Sequence, residues 1–292
     1  MSEQVYPVVF SDLDGTLLDH DTYSFEPAVD AIRLLERRGI PIVICSSKTR
    51  AEIEALQQAM GLDHPFVSEN GGGFFIPRGY FRFPVDGGRR DGRHEAFEFS
   101  PRYPRIVSAL RARAREHGAG VVGFADLSVE QVASVCGLTI AQAKLAKRRD
   151  YDEPFTVVEG GAAARAALFG ALRAGGLQCT SGSRFDHVSG AAGKGIAVRV
   201  ARGLYARAAG RRVLAIGLGD GLNDVSMFRE VDVPVLVGAC SGSHVARLLR
   251  GIPIARLTER RGPEGWADAI HDFVGELEGG RRAVSEQGRV EA

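Results

Sequence analysis

Two aspartates that follow an apolar stretch are the residues of this sequence best suited to chemistry. Asp12 and Asp14 come directly after the apolar residues 8–10, and Gly15 and Thr16 follow them. Burying two carboxylates at the end of a strand is costly unless a cation or strong hydrogen-bond donors compensate. A divalent metal would neutralise the pair, and Gly15 would let the chain turn away sharply. The alternative is a solvated turn, in which Asp and Gly are ordinary residues.

Other polar residues stand at the ends of predicted strands or at the start of a helix. They are Ser46, Ser47, Lys194, Asp220, Asn223 and Asp224. Carboxylates around a hard metal, together with Ser and Lys donors, suit a phosphate group. In-line attack on phosphorus needs its oxygens neutralised. The set therefore predicts phosphoryl transfer, in which one aspartate attacks phosphorus to form an acyl-phosphate, the other handles protons, and water completes the reaction.

Strands and helices alternate around these residues. Apolar runs predict strands at 40–45, 65–68, 212–217 and 233–237, and helical periodicity predicts helices at 25–38, 49–60, 195–209, 225–230, 244–250 and 266–277. Short links between alternating elements predict an α/β fold with a right-handed parallel sheet. Ligands of such sheets gather at the carboxyl ends of the strands, where Asp12 and Ser46 are placed.

The middle of the chain has its own series of predicted strands and helices, which indicates a second α/β domain inserted into the first. Its expected strands lie at 94–99, 121–124, 155–159 and 178–180, and its expected helices at 104–117, 129–136, 140–149 and 162–174. We expect a core of residues 1–82 and 187–278, an inserted domain of 83–186, and a disordered polar tail at 279–292. The arginine-rich helix at 104–117 favours a solvated face over a nucleic-acid patch, because no aromatic residues are interleaved with the arginines.

Composition limits the classes of partner. The chain has 292 residues, 45% of them apolar and 25% charged, with a formal net charge of +1. Such a charge gives no field to attract nucleic acid or a membrane surface. The four cysteines are far apart and show no CxxC spacing, which argues against a zinc site or a disulfide framework. We see no signal peptide and no apolar run of ~18 residues, so we expect a cytoplasmic protein. Separately, we expect a monomer or a homodimer.

The residues named above resemble the four ordered motifs of the haloacid dehalogenase (HAD) superfamily. The motifs are Asp12-Leu13-Asp14-Gly15-Thr16, Ser46, Lys194 and Gly219-Asp220-Gly221-Leu222-Asn223-Asp224. The resemblance covers about residues 5–82 and 187–275 and implies a Rossmann-like parallel-sheet core with an inserted C2-type cap, as in the Cof-like phosphatases. It implies Asp12 as nucleophile and Asp14 as general acid/base. It also implies Mg²⁺ held by Asp12, the Asp14 backbone carbonyl and Asp220, with Asn223 and Asp224 in support, and phosphate bound by Ser46, Ser47, Lys194 and Asn223.

A narrower resemblance is to the mannosyl-3-phosphoglycerate phosphatase family. It is carried by the segments Cys45–Glu52, Ser68–Gly72, Arg149–Phe155 and Gly262–Trp266. It implies that a hexosyl-3-phosphoglycerate, mannosyl or glucosyl, is hydrolysed to a hexosylglycerate compatible solute and phosphate. The sequence departs from the family pattern at Asp150, Ser183 and Asp186, which bears on the sugar and the substrate.

Six residues are candidates for binding the substrate: Lys48, Asn70, Arg149, Glu153, Arg184 and His187. At the end of a predicted helix, Arg149 would offer a fork to the glycerate carboxylate and Glu153 an acceptor to sugar hydroxyls. Alternatively, Arg149 and Glu153 form an ion pair across one helical turn, worth ~0.3–0.5 kcal/mol. His187 is equally well explained as a half-buried histidine with protein partners, and Lys48 as a solvated side chain. Trp266 lies either in a loop over the site or in the core.

Three classes of function compete on the sequence. The first is a phosphomonoesterase, either for hexosyl-3-phosphoglycerates or for another sugar phosphate such as sucrose phosphate. The second is a sugar-phosphate phosphotransferase or mutase that uses the same aspartyl-phosphate. The third is a silent binding module, which is disfavoured because Asp12, Asp14, Lys194 and Asp220 are all present.

Overall fold

The computed structural model describes residues 5–181, 184–190, 193–238 and 256–290. The predicted helix at 244–250 and the family departure at Ser183 lie outside these residues. The chain divides into two compact units. The first unit consists of Met1–Ile44, Phe81–Phe83 and Val198–Ala292, and the second of Cys45–Tyr80 and Pro84–Ala197. These divisions differ from the predicted domain boundaries at 83 and 186, which remain predictions.

Strands and helices follow one another along both units. The strands are β1 (Tyr6–Ser11), β2 (Ile42–Cys45), β3 (Phe66–Ser68), β4 (Gly73–Pro77), β5 (Arg89–Asp91), β6 (His94–Glu98), β7 (Gly120–Gly123), β8 (Asp152–Glu159), β9 (Gln178–Ser181), β10 (Asp186–Ser189), β11 (Val213–Gly219), β12 (Val233–Leu236) and β13 (Arg256–Leu257). The helices are α1 (Val29–Arg37), α2 (Arg50–Met60), α3 (Tyr103–Glu116), α4 (Val129–Cys136), α5 (Ile140–Ala146), α6 (Gly161–Ala174), α7 (Gly195–Ala209), α8 (Val225–Phe228) and α9 (Gly262–Val290). Short 3₁₀ turns cover Glu26–Ala28, Glu69–Gly71 and Leu222–Asp224.

The first unit is built on parallel strands in the order β13-β12-β11-β1-β2. Its central strand β1 is apolar and buried, as expected when both faces of a parallel sheet are covered. Ser11 at the end of β1 lies opposite Leu218 of β11, so the residues that follow these two strands emerge side by side. The predicted α/β class with a parallel sheet is confirmed.

The second unit contains two sets of antiparallel strands, in the orders β3-β4-β6-β5 and β7-β8-β10-β9, of which the latter is a four-stranded sheet. Helices α3 and α6 pack together beside the second sheet, around a core that includes Leu110, Phe155 and Leu168. The sequence did not predict β4, β5 or β10. Each of them is short and pairs with its neighbour along the chain, β4 with β3, β5 with β6 and β10 with β9, so pairing rather than an apolar run of their own decides their state.

The start of α2 agrees closely with the prediction from sequence, whereas the end of α5 does not. Thr49 caps α2 in a capping box with Glu52, which fixes the helix start close to the predicted one. Helix α5 ends at Ala146, three residues before the predicted end at Arg149. Lys147, which caps this end of α5, donates through Nζ to the carbonyl oxygens of Phe124 (2.6 Å) and Leu127.

Helix α9 runs past its predicted end near Leu277 to Val290. The backbone of residues 279–290 is therefore helical, where the sequence predicted a disordered tail. This stretch contains three Arg, one Ala, one Glu and one Gln, which are good helix formers, alongside three Gly, which are not. Among the residues that the structure describes, no helix combines the length and the apolar character needed to cross a bilayer.

One buried histidine holds two elements of the second unit together. His94 of β6 is fully buried, and its Nδ1 lies 3.1 Å from Nη2 of Arg50 on α2. Its ring meets those of Phe66 and Phe75 edge-on, with centroids 5.4 and 5.9 Å away. Burial, with the charge of Arg50, lowers the pKa of His94 to about 4. Protonating this ring in the folded state is therefore unfavourable.

We predict that His94 makes the protein less stable in acid. Its pKa is about 4 in the folded state and 6.5 in the reference state, so the unfolded chain binds the extra proton between these values and stability falls as the pH drops through them. From pH 7.5 to pH 5, wild type should lose about 2 kcal/mol more unfolding free energy than His94→Gln. Urea unfolding of both proteins at the two pH values measures this. Parallel losses in the two proteins would contradict it.

Candidate active site

Three carboxylates meet at the carboxyl ends of β1 and β11 in the first unit. Asp12 follows β1, Asp220 follows β11, and Asp224 closes the 3₁₀ turn after it. One oxygen from each of the three lies within 4.8 Å of the others. Asp12 and Asp224 are buried and Asp220 is half-buried, so their repulsion is little screened by water. The carboxylate cluster (Asp12, Asp220 and Asp224) has the hard oxygen donors that suit a divalent cation.

Backbone amides hold the cluster in shape. The amide N of Asp12 donates to the carbonyl oxygen of Leu218 at 2.9 Å, which ties β1 to β11 at their ends. Oδ2 of Asp224 accepts from the amides of Asp220 (3.1 Å) and Gly221 (3.0 Å). Asp224 thus both supplies an oxygen to the cluster and folds the loop that carries Asp220.

Gly15 is required by the closeness of the chain to Asp220. Its φ is +76°, a conformation that residues with a side chain rarely adopt, and a Cβ at this position would collide with Oδ2 of Asp220. The carboxylate of Asp14, next to Gly15, is not one of the three in the cluster. Its roles as acid/base and, through its backbone carbonyl, as metal ligand remain predictions.

A buried indole supports the strand that carries Asp12. Trp266 of α9 is fully buried, and its Nε1 donates to Oγ of Ser11 at 2.9 Å. The Ser11 hydroxyl in turn donates to the carbonyl oxygen of Asp12 at 2.7 Å. Of the two positions offered for Trp266 by the sequence, the core is the one observed. The support from Ser11 was not predicted, since a serine at a strand end carries no distinctive local signal.

In the second unit, the loop between β2 and α2 carries the predicted phosphate-binding serines. Ser46 is fully buried, its amide donates to the carbonyl oxygen of Val67 at 3.0 Å, and its Oγ accepts from the amide of Lys48 at 3.2 Å. The carbonyl oxygen of Ser47 accepts from Nη2 of Arg149 at 3.0 Å. Lys48 is half-buried, and both of its expected states, contact with a carboxylate or solvation, remain predictions.

Lys194 is fully buried immediately before α7. An ammonium group taken out of water must be compensated by acceptors or by a negative ligand. In the first unit, the predicted phosphate contact Asn223 lies exposed in the 3₁₀ turn Leu222–Asp224.

Arg149 and Glu153 do not share a helix, so their expected position and the alternative ion pair across a helical turn are both wrong. Arg149 follows the end of α5, and Glu153 lies on β8. Glu153 accepts from Tyr103 Oη at 2.5 Å and from the amide of Ala125 at 3.0 Å. Burial raises the pKa of Glu153 above its usual range. Its contacts with the substrate remain a prediction.

Arg149 belongs to a buried charge network with Asp152 and His187. Its Nη2 lies 2.9 Å from Oδ2 of Asp152, and His187 Nδ1 lies 2.8 Å from the same oxygen. Burial alone would raise the pKa of Asp152, but His187 and Arg149 together hold it below its usual range. His187 is 22% exposed, as expected for a half-buried histidine with a protein partner. Sequence reasoning missed Asp152, although an acid at the start of an apolar strand is a usable signal.

The two remaining substrate candidates lie in different surroundings within the second unit. Arg184 is exposed and donates through Nη1 to the carbonyl oxygen of Cys136 at 2.7 Å. Asn70 is half-buried in the left-handed conformation, with its amide donating to the carbonyl oxygen of Ser46 at 2.9 Å. Asn70 thus contacts the serine loop, whereas Arg184 contacts the end of α4.

Comparison with known proteins gives near full-length matches. A family model described as haloacid dehalogenase-like hydrolase matches residues 9–75. A glucosyl-3-phosphoglycerate/mannosyl-3-phosphoglycerate phosphatase of Methanococcoides burtonii is 40% identical over 268 residues, 92% of this chain and 97% of that protein. One of the same description from Persephonella marina is 34% identical over 277 residues, 94% of this chain and 99% of that protein.

A solved structure extends the comparison to the fold. The sucrose-phosphatase of Synechocystis, in complex with sucrose and phosphate, matches with a TM-score of 0.59 and 14% identity. The match covers 92% of this chain and 98% of that one. At this identity the likeness shows the fold alone. With the family model it confirms the predicted parallel-sheet core with an inserted cap.

We predict that Gly15→Ala weakens binding of a divalent cation at the carboxylate cluster at least about tenfold, because the new Cβ displaces Asp220 and each tenfold corresponds to about 1.4 kcal/mol. Calorimetric titration of the purified protein with MgCl₂ measures this. Gly39→Ala is the matched control, since Gly39 also has a positive φ (+63°) but no atom within 4 Å of the new Cβ. Unchanged affinity in Gly15→Ala, or an equal loss in both variants, would contradict the prediction.

Proposed function

The chain belongs to the haloacid dehalogenase-like hydrolases, and two phosphatases match it over nearly its full length, at 40% and 34% identity. We therefore propose that its substrate is a hexosyl-3-phosphoglycerate, with mannose or glucose as the sugar. The predicted family resemblance is confirmed, and the enzyme is a phosphoric monoester hydrolase. The observation that carries the substrate is the 40% identity over 92% of the chain to a phosphatase named for both hexosyl-3-phosphoglycerates. The product would be the hexosylglycerate, a compatible solute.

We propose Mg²⁺ as the cofactor. The three carboxylates fit a hard divalent cation, because their oxygens converge within 4.8 Å and their charges would repel without one. Asp12, Asp220 and Asp224 would hold it, with the Asp14 carbonyl contributing as in the family pattern. When bound, the ion neutralises charge on the phosphoryl oxygens.

Asp12 and Asp14 would carry the covalent steps. A carboxylate oxygen of Asp12 forms a bond to phosphorus while the bond from phosphorus to the glycerate oxygen breaks. Asp14 gives its proton to that leaving oxygen, and then takes a proton from the water that attacks the aspartyl-phosphate. Phosphate leaves, and Asp12 is regenerated. The hydrogen bonds of the Asp12 backbone with Leu218 and Ser11 support this role, since a nucleophile must be held in position for in-line attack.

For the phosphate we propose Ser46, Ser47, Lys194 and Asn223 as the binding residues. The buried hydroxyl of Ser46 and the buried ammonium of Lys194 support this, because a hydroxyl and an ammonium both donate hydrogen bonds to phosphate oxygens. For the rest of the substrate we propose Lys48, Asn70, Arg184 and His187.

We still propose Arg149 and Glu153 as substrate contacts, and we add that both residues shape the loops around the substrate. The side chain of Arg149 is 5% exposed and Glu153 is 1% exposed, and both have protein partners. Through Ser47 and Ala125, these partners support a role in shaping the loops at 46–48 and 123–126.

We predict that Asp12→Asn abolishes turnover, by at least about 10³-fold, because the amide cannot attack phosphorus. The fold should survive, since a buried charge is removed rather than added. Phosphate release and the far-UV circular dichroism spectrum are the measurements. Asp30→Asn, an exposed carboxylate on α1, is the control and should keep full activity. Stoichiometric labelling of a different residue by radioactive substrate phosphate would show that Asp12 is not the nucleophile.

The substrate assignment predicts a ranking in a phosphate-release panel. kcat/KM for mannosyl- or glucosyl-3-phosphoglycerate should exceed that for sucrose 6-phosphate and for p-nitrophenyl phosphate by roughly 100-fold, because sites that pair substrate polar groups reject analogues lacking them. Comparable kcat/KM values for all the substrates of the panel would contradict the assignment and indicate a phosphatase of broad specificity. Transfer of phosphate to an added sugar, without its release to water, would instead establish a phosphotransferase.

A further inference from the structure

A buried acid in the second unit takes no part in the steps above. Glu69 follows β3 and is fully buried. It and Asn70 both have positive φ values, +48° and +55°, in the short turn Glu69–Gly71. Two successive residues with side chains in the left-handed region are unfavourable and persist only when surrounding contacts impose them. Those contacts indicate what the turn is for.

The side chain of Glu69 binds one segment of the chain through its backbone. Oε1 accepts from the amide of Asp150 at 2.9 Å, and Oε2 accepts from the amides of Tyr151 and Asp152, both at 2.7 Å. Nε of Arg149 lies 3.7 Å from Oε2. Burial raises the pKa of Glu69 to about 7, while Arg149 and the amides of Asp150 and Tyr151 act to lower it. The carboxylate therefore fixes residues 149–152 as one body.

The backbone of the same turn binds the serine loop. The amide of Glu69 donates to the carbonyl oxygen of Lys48 at 3.0 Å, and the amide of Asn70 to that of Ser46 at 2.9 Å. Arg149, anchored beside Glu69, donates to the carbonyl oxygen of Ser47 at 3.0 Å. Each carbonyl of the loop 46–48 is thus held by the turn or by the arginine that the turn positions.

The end of the turn lies against the segment that carries Lys194. Gly71 has a φ of +97°, and a Cβ on it would collide with the carbonyl of Gly193 and lie 3.1 Å from the amide of Lys194. The turn Glu69–Gly71 therefore contacts three segments of the second unit: 46–48, 149–152 and 193–194. Every one of them carries a residue assigned above to the phosphate or the rest of the substrate.

We propose that Glu69 is a positioning residue of the phosphatase reaction, which sets the mutual placement of the serine loop, Arg149 and Lys194 without touching the substrate. This rests on the proposed roles of Ser46, Ser47 and Lys194 in binding phosphate. Loss of the carboxylate leaves three buried amides without their acceptor and removes one of the two acidic partners of Arg149, leaving Asp152 alone to hold it beside Ser47. Because the phosphoryl group is common to all substrates, the loss falls on kcat for every one of them.

The test compares Glu69→Gln and Glu69→Ala with wild type, using mannosyl-3-phosphoglycerate and p-nitrophenyl phosphate. Glu69→Gln keeps one oxygen acceptor and Glu69→Ala keeps none, so kcat should fall roughly 10-fold and 100-fold respectively, since small misplacements of reacting groups cost this much. Both substrates should lose the same factor. Rates are expressed per folded molecule, from circular dichroism at the assay temperature, and calorimetric titration with MgCl₂ should show unchanged cation affinity.

His94→Gln is the matched control, because His94 is also fully buried in the second unit but none of its described contacts is with the serine loop or Lys194. It should lower the melting temperature and leave kcat per folded molecule unchanged. A merely structural Glu69 would behave in the same way, and that result would overturn the proposal. So would an equal loss of kcat in His94→Gln. Wild type that hydrolyses only p-nitrophenyl phosphate would refute the substrate assignment, while the comparison on that ester would still decide the role of Glu69.

Discussion

The cost of burying charge is the constraint on which this structure depends. In each unit a buried carboxylate is compensated by consecutive backbone amides. Asp224 accepts from the amides of Asp220 and Gly221, and Glu69 accepts from those of 150–152. Backbone donors are held by the fold and need no reorganisation, so they stabilise a charge where water cannot reach it. The same hydrogen bonds also fix the conformation of the loops that donate them, so the contacts that stabilise the buried charges also shape the site.

Close approach of backbone to these charges explains the glycines around them. A Cβ on Gly15 would collide with Asp220, one on Gly219 with Asp224, and one on Gly71 with Gly193. At each position a side chain would occupy the space that a carboxylate or a peptide group now fills. The glycines are therefore part of the site, although none of them offers a functional group.

The parts of the structure that follow from local pattern could be predicted from sequence. Apolar strands ending in polar residues located Asp12 and Asp220, and helical periodicity predicted the start of α2 at Thr49, one residue before the observed start at Arg50. The pairing of β10 with β8 and the contact of Arg149 with Ser47 could not be predicted, because these partners lie far away in sequence. Glu69 was missed as well, even though an acid that follows a buried strand and precedes Asn-Gly-Gly is the kind of residue whose burial must be compensated.

The hydrogen bonds from Trp266 through Ser11 to the backbone of Asp12 place the fluorescent side chain of the protein next to the candidate site. The chain contains one tryptophan, so its fluorescence comes from a single environment. That indole is fully buried and two hydrogen bonds from the residue proposed to become phosphorylated. The fluorescence emission of an indole ring depends on the electric field around it, and a change in the charge of the Asp12 side chain alters that field. The protein thus carries an intrinsic optical reporter beside its proposed nucleophile, and we expect its emission to change if an aspartyl-phosphate forms at Asp12.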